Sequence, residues 1–252
     1  MHYKKVVNYL FIMLMVSFIT ACVSTNSPKT ELSKGQQAQL YLDMGDRYLQ
    51  MGMLTTAKEK LEIAEKIDSG NSNIQNGLAA LYEQMKLYSE AKKHYQKAVA
   101  LDDGNFGAKN NYGRFLCENG DYDSGIKLLN EALRFPLNNR RWFAYTNIGL
   151  CELMKGKLKE AEFNFRNALQ INKNYAPALF EMQKISYHAA KYMSARAFLQ
   201  RYLAVSKHNA ETLWYAVQTE RALGDIKTAE GYKNKLLSLF PVSKEAQQLR
   251  LE

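Results

Sequence analysis

The sequence is poor in residues that interrupt or cross-link a chain. Its 252 residues include 4 prolines, 14 glycines and 3 cysteines. Three cysteines are too few for a fold built on disulfides, and so few prolines and glycines leave few chain breakers for this length. Only 23% of the residues are charged and 46% are apolar, so the chain can bury a core and is not of the disordered class.

Sequence motifs of catalytic and metal sites are also missing. The chain contains no HExxH, no phosphate-binding loop and no GxSxG. Residues 119–123 are similar to the start of a calcium loop, but the sixth position is not glycine and the twelfth is Asn130 instead of Glu. The four histidines show no ligand spacing. We therefore predict no catalytic residue, no metal site, no cofactor and no small-molecule substrate.

The N-terminus has the pattern of an export signal. His2, Lys4 and Lys5 precede an apolar run at 6–19, which at about 14 residues is shorter than the roughly 20 needed to span a bilayer. Residues 19–22 (Ile-Thr-Ala-Cys) resemble the lipobox of bacterial lipoproteins, although Ile replaces the more usual Leu. The resemblance implies cleavage before Cys22 and acylation of its thiol. An ordinary secretory signal with a chance cysteine is the alternative.

The residue after Cys22 and the net charge of the chain limit where the protein acts and what it binds. Val23 follows the cysteine where inner-membrane lipoproteins usually carry Asp, so the resemblance implies an outer-membrane protein that faces the periplasm. The net charge is +9, and removal of residues 1–21 takes away two lysines and no acid, which leaves +7. A basic balance can indicate nucleic acid or an anionic surface. Outside the cytoplasm a basic surface argues against nucleic acid and instead suits acidic protein segments or anionic envelope polymers.

Small residues recur along the chain at a nearly constant interval. The longest series is spaced by 34 residues with one gap of 36: Ala57, Ala91, Gly125, Ala161, Ala195 and Ala229. A second series keeps the same step: Gly45, Ala79, Gly113 and Gly149. This pattern resembles the tetratricopeptide repeat, a helix–turn–helix unit of 34 residues. The resemblance predicts an all-α, right-handed superhelical solenoid of six repeats with a C-terminal capping helix.

The repeat register divides the chain into three parts. Residues 1–21 are the signal peptide, 22–35 the acylated cysteine with a flexible polar tether, and 36–252 the repeat domain. The predicted repeats are 38–71, 72–105, 106–139, 142–175, 176–209 and 210–243. The pair Arg140 and Arg141 is the single insertion, and a capping helix starts at Lys244.

A more specific resemblance lies in the third and fourth repeats. Residues 110–117 read Asn-Asn-Tyr-Gly-Arg-Phe-Leu-Cys, and a second cysteine stands two residues after Gly149. With the lipobox and tether, this is similar to the PilF/PilW family of type IV pilus biogenesis lipoproteins. The resemblance implies a pilotin that binds a secretin subunit and promotes its outer-membrane localisation and multimerisation. The alternative is another envelope repeat lipoprotein, an adaptor for cell-wall enzymes or for outer-membrane protein assembly.

The tetratricopeptide resemblance also implies which residues line a binding groove. They are apolar toward both ends and polar in the middle: Leu42, Leu49, Asn76, Asn110, Arg114, Phe143, Leu150, Met154, Phe180 and Trp214. Leu42 and Asp46 stand where carboxylate-clamping members of the family carry Lys and Asn, which disfavours that ligand in the first repeat. We predict that the groove binds the secretin subunit.

Cys117 and Cys151 fall on the first helices of adjacent repeats, which lie side by side in this fold. The oxidising periplasm favours a disulfide between them. Two buried thiols are the alternative, since cysteine is often a small apolar filler. We expect the bridge.

Overall fold

The computed structural model describes residues 32–135 and 138–251. The predicted signal peptide, Cys22 and most of the tether lie outside the described residues. The described ranges contain thirteen α-helices and no strand: α1 Lys34–Gln50, α2 Leu54–Ile67, α3 Ser72–Gln84, α4 Tyr88–Leu101, α5 Phe106–Glu118, α6 Tyr122–Arg134, α7 Arg141–Met154, α8 Leu158–Ile171, α9 Ala176–His188, α10 Tyr192–Leu203, α11 Ala210–Ala222, α12 Ile226–Leu239 and α13 Lys244–Leu251.

The helices pair into six successive hairpins, α1 with α2 through α11 with α12. Each hairpin turn contains one residue with a left-handed backbone, which lets the chain reverse after the first helix. Glycine takes this place in four turns, at Gly52, Gly120, Gly156 and Gly224. Lys86 and Ala190 take it in the other two, with φ of 60° and 55°. The all-α repeat fold predicted from the sequence is confirmed.

Glycine and alanine allow the two helices of a hairpin to approach closely. A Cβ added at Gly113 would lie 2.7 Å from Leu129 Cγ and 2.9 Å from the carbonyl oxygen of Gly125. A Cβ at Gly125 would lie 2.6 Å from the carbonyl oxygen of Gly113. Real Cβ atoms do not approach other atoms so closely, because interiors are packed to crystal-like density. The recurrence of small residues therefore follows from the backbone separation.

Neighbouring hairpins contact each other through two kinds of helix pair, and the first kind joins successive first helices. The contacting pairs are α1–α3, α3–α5, α5–α7, α9–α11 and α11–α13. Each second helix packs on the first helix of the next hairpin, and within the described ranges no two second helices make an extensive contact. The first helices consequently lie on the inner side of the curved array, as in other repeat solenoids. We call their solvent-facing side the inner face.

The two ends of the repeat array are both capped. At the start, Ser33 N–H donates to Gln36 Oε1 (2.9 Å) and Gln36 N–H donates to Ser33 Oγ (3.3 Å), a capping box. This box starts α1 at Lys34, so the predicted tether of 22–35 is two residues too long. At the far end, Ala246 and Leu249 of α13 pack into the core of the sixth hairpin, as the predicted capping helix requires.

None of the helices formed by residues 32–135 and 138–251 combines the length and the apolar character needed to cross a membrane.

Candidate functional site

The inner face holds most of the residues predicted to line the groove. Phe143 and Met154 are exposed, at 36% and 46% of their surface. The half-buried members contribute only part of each side chain: Asn76, Asn110, Arg114, Leu150, Phe180 and Trp214. These eight residues lie on α3, α5, α7, α9 and α11, so the first helices of five hairpins bring them onto one side of the molecule.

Leu42 and Leu49 are core residues, and the prediction that they are accessible groove anchors is wrong. Their side chains are 4% and 8% exposed and belong to the core cluster that joins the first two hairpins. The reason is a small residue in the next repeat. A Cβ at Gly77 would lie 3.2 Å from Leu42 Cδ1, so the glycine makes room for the leucine against α3.

Asparagine amides link the first helices across the polar middle of the inner face. Asn111 Nδ2 on α5 donates to Asn76 Oδ1 on α3 (3.1 Å). Asn147 Nδ2 on α7 donates to Asn110 Oδ1 on α5 (3.1 Å). A side-chain amide has two N–H donors and an oxygen with two lone pairs. Each amide therefore keeps donor and acceptor capacity after making its cross-helix bond.

An ion pair lies beside these amides. Arg114 Nη1 on α5 lies 2.8 Å from Glu83 on α3 and also pairs with Glu118 one turn along its own helix. The hydroxyl of Tyr95 donates to the same Glu83 carboxylate (2.7 Å). Burial lowers the pKa of Arg114, but the hydrogen bonds and charge of Glu83, with help from Glu118, outweigh it and raise the pKa. Arg114 is thus already occupied and does not offer a free cation.

A pocket of about 260 Å³ opens on the inner face between α5 and α7. Its lining combines two phenylalanine rings, three asparagines and one arginine with small residues: Phe106, Gly107, Asn110, Asn111, Asn138, Arg140, Phe143 and Ala144. Two of these residues, Asn110 and Phe143, were predicted from the sequence. Arg140 belongs to the insertion between the third and fourth repeats. The insertion therefore contributes directly to the site.

Aromatic side chains dominate the inner face toward the C-terminus. The Phe143 ring meets the Tyr175 ring edge-on at 5.2 Å between centroids. Lys184 Nζ lies 5.0 Å from the centroid of the Phe180 ring, a cation–π contact. Farther along, Trp214 packs edge-on against Tyr187 at 6.1 Å. This stretch offers partly exposed rings of the kind enriched in protein interfaces.

A disulfide links α5 and α7 near their C-terminal ends, away from the pocket. Cys117 and Cys151 are bridged, with 5.4 Å between their Cα atoms, inside the range that disulfides require. Cys117 is near the end of α5, and the pocket lies at the beginning of the same helix. The bridge therefore holds the two helices together about two turns from the pocket.

The described residues contain no group of three histidine, cysteine, aspartate or glutamate side chains placed to hold a metal ion. What the inner face offers is amide hydrogen bonding, aromatic surface and one arginine at a pocket. These features suit the binding of a polypeptide.

Sequence reasoning missed several members of this site: Phe106, Asn111, Asn138, Arg140 and Asn147. The adjacent pair Asn110 and Asn111 was a usable signal, because one helix can direct such a pair toward both neighbours. The insertion was recognised, but its route into the pocket depends on packing.

Comparison with known proteins agrees with the repeat architecture. Residues 85–144 and residues 144–175 match tetratricopeptide repeat families. The chain is 29% identical to the type IV pilus assembly protein PilF of Pseudomonas aeruginosa over 244 residues, which is 96% of this chain and 97% of that protein. In repeat architecture and over almost its whole length, the chain is therefore similar to a tetratricopeptide-repeat protein of type IV pilus assembly.

Two solved structures, of PilF and of PilW, have the same fold as this chain. The structure of Pseudomonas aeruginosa PilF superposes with a TM-score of 0.77 at 29% identity, covering 86% of this chain and 98% of PilF. The crystal structure of PilW, a widely conserved type IV pilus biogenesis factor, superposes with a TM-score of 0.76 at 24% identity, covering 85% of this chain and 98% of PilW. At that identity the PilW likeness concerns the fold alone.

Proposed function

We propose that this protein acts in type IV pilus biogenesis as an outer-membrane lipoprotein that binds a secretin subunit. In this account the inner face holds the subunit, and acylated Cys22 places the complex at the outer membrane and promotes multimerisation. The function requires binding and location, and no chemical step. One observation carries the proposal, namely the end-to-end similarity to the type IV pilus assembly protein PilF.

The inner face supports the binding half of the proposal. Phe143 and Met154 expose apolar surface, and Phe180 and Trp214 expose part of theirs. Exposed apolar patches commonly mark interaction sites, and aromatic side chains often carry much of the binding energy at an interface. The lipobox at 19–22 supports the other half, since multiple acyl chains anchor a protein stably whereas one chain does so marginally.

A double substitution on the inner face tests the binding half. We expect Phe143→Ala with Phe180→Ala to reduce heat-stable secretin multimers, measured by gel, because it removes two partly exposed rings. Circular dichroism and the melting transition of the purified variant establish that it folds. The matched control is Phe163→Ala, since Phe163 lies on the second helix α8 and is 64% exposed. Full multimer with a folded double variant would reject the inner face as the secretin site.

Substitution of the predicted anchor tests the location half. Cys22→Ser removes the thiol that acylation needs, so we expect the variant to leave the outer-membrane fraction and secretin multimers to fall. A variant that fractionates with the outer membrane like the wild type would contradict the lipoprotein assignment. Recovery of a cell-wall hydrolase or a barrel-assembly component with the tethered protein, in place of the secretin, would support the adaptor alternative.

A further inference from the structure

The residues directly before α7 contribute to the pocket between α5 and α7. Asn138 is buried, its Nδ2 donates to the carbonyl oxygen of Ala132 (2.8 Å), and its Oδ1 accepts from the Arg140 backbone N–H (2.9 Å). These two bonds hold the inserted segment against the end of α6. Arg140 is thereby placed beside the pocket, with Phe106 and Phe143 as the apolar walls.

The pocket has a positive charge that nothing in the described residues neutralises. Of the residues that line it, Arg140 is the single charged one and none is acidic. Across residues 32–135 and 138–251, no carboxylate forms an ion pair with Arg140 or with the exposed Arg141. An arginine fork matches a carboxylate with two parallel hydrogen bonds. A ligand with a carboxylate therefore complements the pocket.

The size and shape of the site favour a short stretch of polypeptide. At about 260 Å³ the pocket is smaller than the roughly 300–1,000 Å³ of sites for drug-sized molecules, so it accommodates one or two side chains. The asparagine pairs described above cross the face from α3 to α7 and continue past the pocket. Side-chain amides match the alternating N–H and C=O groups of an extended main chain.

We propose that this junction pocket binds an extended, acidic segment within a partner protein. One Asp or Glu side chain of the segment pairs with Arg140, and an apolar side chain two positions away fits between Phe106 and Phe143. Residues two apart on an extended chain point to the same side, about 7 Å apart. The inference deepens the proposed function and rests on it, because it names the chemistry of the segment that the partner presents.

An internal segment explains the site better than a chain terminus does. The amides of Asn76 and Asn111 lie on the α3 side of the pocket, whereas Tyr175 extends the aromatic surface on the side of α9. A bound segment covers both surfaces only if it runs through the pocket and continues on either side. A terminal carboxylate at Arg140 would leave one of them empty.

The test is a selection from random twelve-residue peptides, displayed with linkers at both ends, on the acylated mature protein purified in detergent. We expect enriched peptides to carry Asp or Glu two positions from an apolar residue. A representative peptide with blocked ends should lose at least about tenfold in affinity with Arg140→Glu. It should bind Arg141→Glu within about twofold of wild type, because this control makes the same charge change outside the pocket.

Three results would overturn the proposal. The first is enrichment of peptides without an acid, or no enrichment. The second is an equal loss with Arg141→Glu, which would indicate general charge attraction. The third is binding by the free-acid form of the peptide and not by its amide, which would indicate capture of a chain terminus.

Secretin multimers in cells that carry Arg140→Glu separate this inference from the proposed function. If the multimers are unchanged and peptide binding is lost, the pocket binds the acidic segment, but that segment does not come from the secretin. If the multimers are lost and peptide binding is complete, the proposed function stands, and the pocket is rejected as the site of the acidic segment.

Discussion

Two junctions between repeats use asparagine in different ways. Where the second hairpin meets the third, Asn105 accepts from the Ala108 N–H (2.9 Å) and caps α5, and its Nδ2 donates to Ser72 Oγ (2.9 Å) and Asn73 Oδ1 (2.8 Å). Where the third meets the fourth, Asn138 bonds Ala132 and Arg140, and α7 begins without a side-chain cap.

The two junctions therefore differ in which groups their asparagines bond, and a pocket lies beside the second of them. At the regular junction the asparagine ties α5 directly to α3. At the irregular junction the bonds of Asn138 go to Ala132 in α6 and to the Arg140 backbone, and neither reaches α5. α5 and α7 are instead linked by the Asn147–Asn110 hydrogen bond and, near their C-terminal ends, by the disulfide. The insertion of two residues thus places Arg140 at the pocket where we propose that a ligand binds.

Removal of the disulfide should have the largest effect on the irregular junction. Cys117→Ser with Cys151→Ser frees the unfolded chain over a separation of 34 residues, and we expect a loss of about 2–4 kcal/mol in unfolding free energy. Denaturant titration of the oxidised wild type and the double variant measures it. Reduced wild type should behave like the double variant. An unchanged midpoint would mean that the bridge does not support this junction.

The corresponding glycines on either side of the irregular junction should differ in their tolerance of alanine. A Cβ at Gly113 meets a backbone carbonyl oxygen at 2.9 Å, whereas the three atoms nearest a Cβ at Gly149 belong to the Phe165 ring, the first at 2.8 Å. A side chain adjusts more readily than a backbone does, although Phe165 is itself fully buried. We expect Gly113→Ala to cost about 1–3 kcal/mol and Gly149→Ala less, by denaturant titration.

The exposed Gly231 is the matched control for both glycines. It lies inside α12, and nothing is within 4 Å of an added Cβ. Gly231→Ala should therefore stabilise the protein by about 0.5–1 kcal/mol. Equal losses for Gly113→Ala and Gly149→Ala would contradict the packing account.

Substitution of the two junction asparagines should separate stability from binding. Asn105→Ala removes a helix cap, and Asn138→Ala removes two hydrogen bonds at a buried site. We expect each to lower the unfolding free energy by about 1–2 kcal/mol. Asn138→Ala alone should also weaken binding of the selected acidic peptide, because Arg140 loses its support. If Asn105→Ala weakened peptide binding equally, the pocket would not depend on the irregular path.

Substitution of Asp46 should have the smallest effect on stability. Asp46 lies on α1, so it also serves as a reference outside both asparagine junctions. Burial, with the nearby charge of Asp43, raises the pKa of Asp46 from 3.8 to about 6. The folded state therefore favours the protonated Asp46 carboxyl. The stability that comes from this preference is complete below about pH 4 and is lost as the pH rises through 6.

We expect Asp46→Asn to stabilise the protein by about 1 kcal/mol at pH 7.5, a value reduced for its partial exposure, and to have no effect at pH 4. Melting curves at the two pH values measure the difference. The same gain at both pH values would contradict the raised pKa.

The sequence was sufficient to predict the repeat fold, because close helix packing dictates its pattern. Backbone contacts within a hairpin require small residues at positions such as Gly113 and Gly125. The recurrence of small residues from one repeat to the next therefore identifies the repeat directly. The pairing of Cys117 with Cys151 was predictable for a related reason, since both lie on first helices that contact each other.

The binding face was less predictable, because residue type does not determine which side chain is covered. Leu42 has the character of either a groove or a core residue, and Gly77 of the following repeat decides between them. Arg140 was visible as part of an insertion, but its position at the pocket depends on the two hydrogen bonds of Asn138. Both outcomes depend on contacts between repeats, which a single repeat pattern does not encode.

Site-specific photo-crosslinking in living cells tests the central claim most directly. A benzoyl-phenylalanine replaces Phe143 on the inner face in one strain and Phe163 on the second helix α8 in another, so that a ring replaces a ring in both. The account predicts a light-dependent adduct with the secretin subunit from position 143 and none from position 163. A secretin adduct from position 163 with none from position 143 would contradict the account.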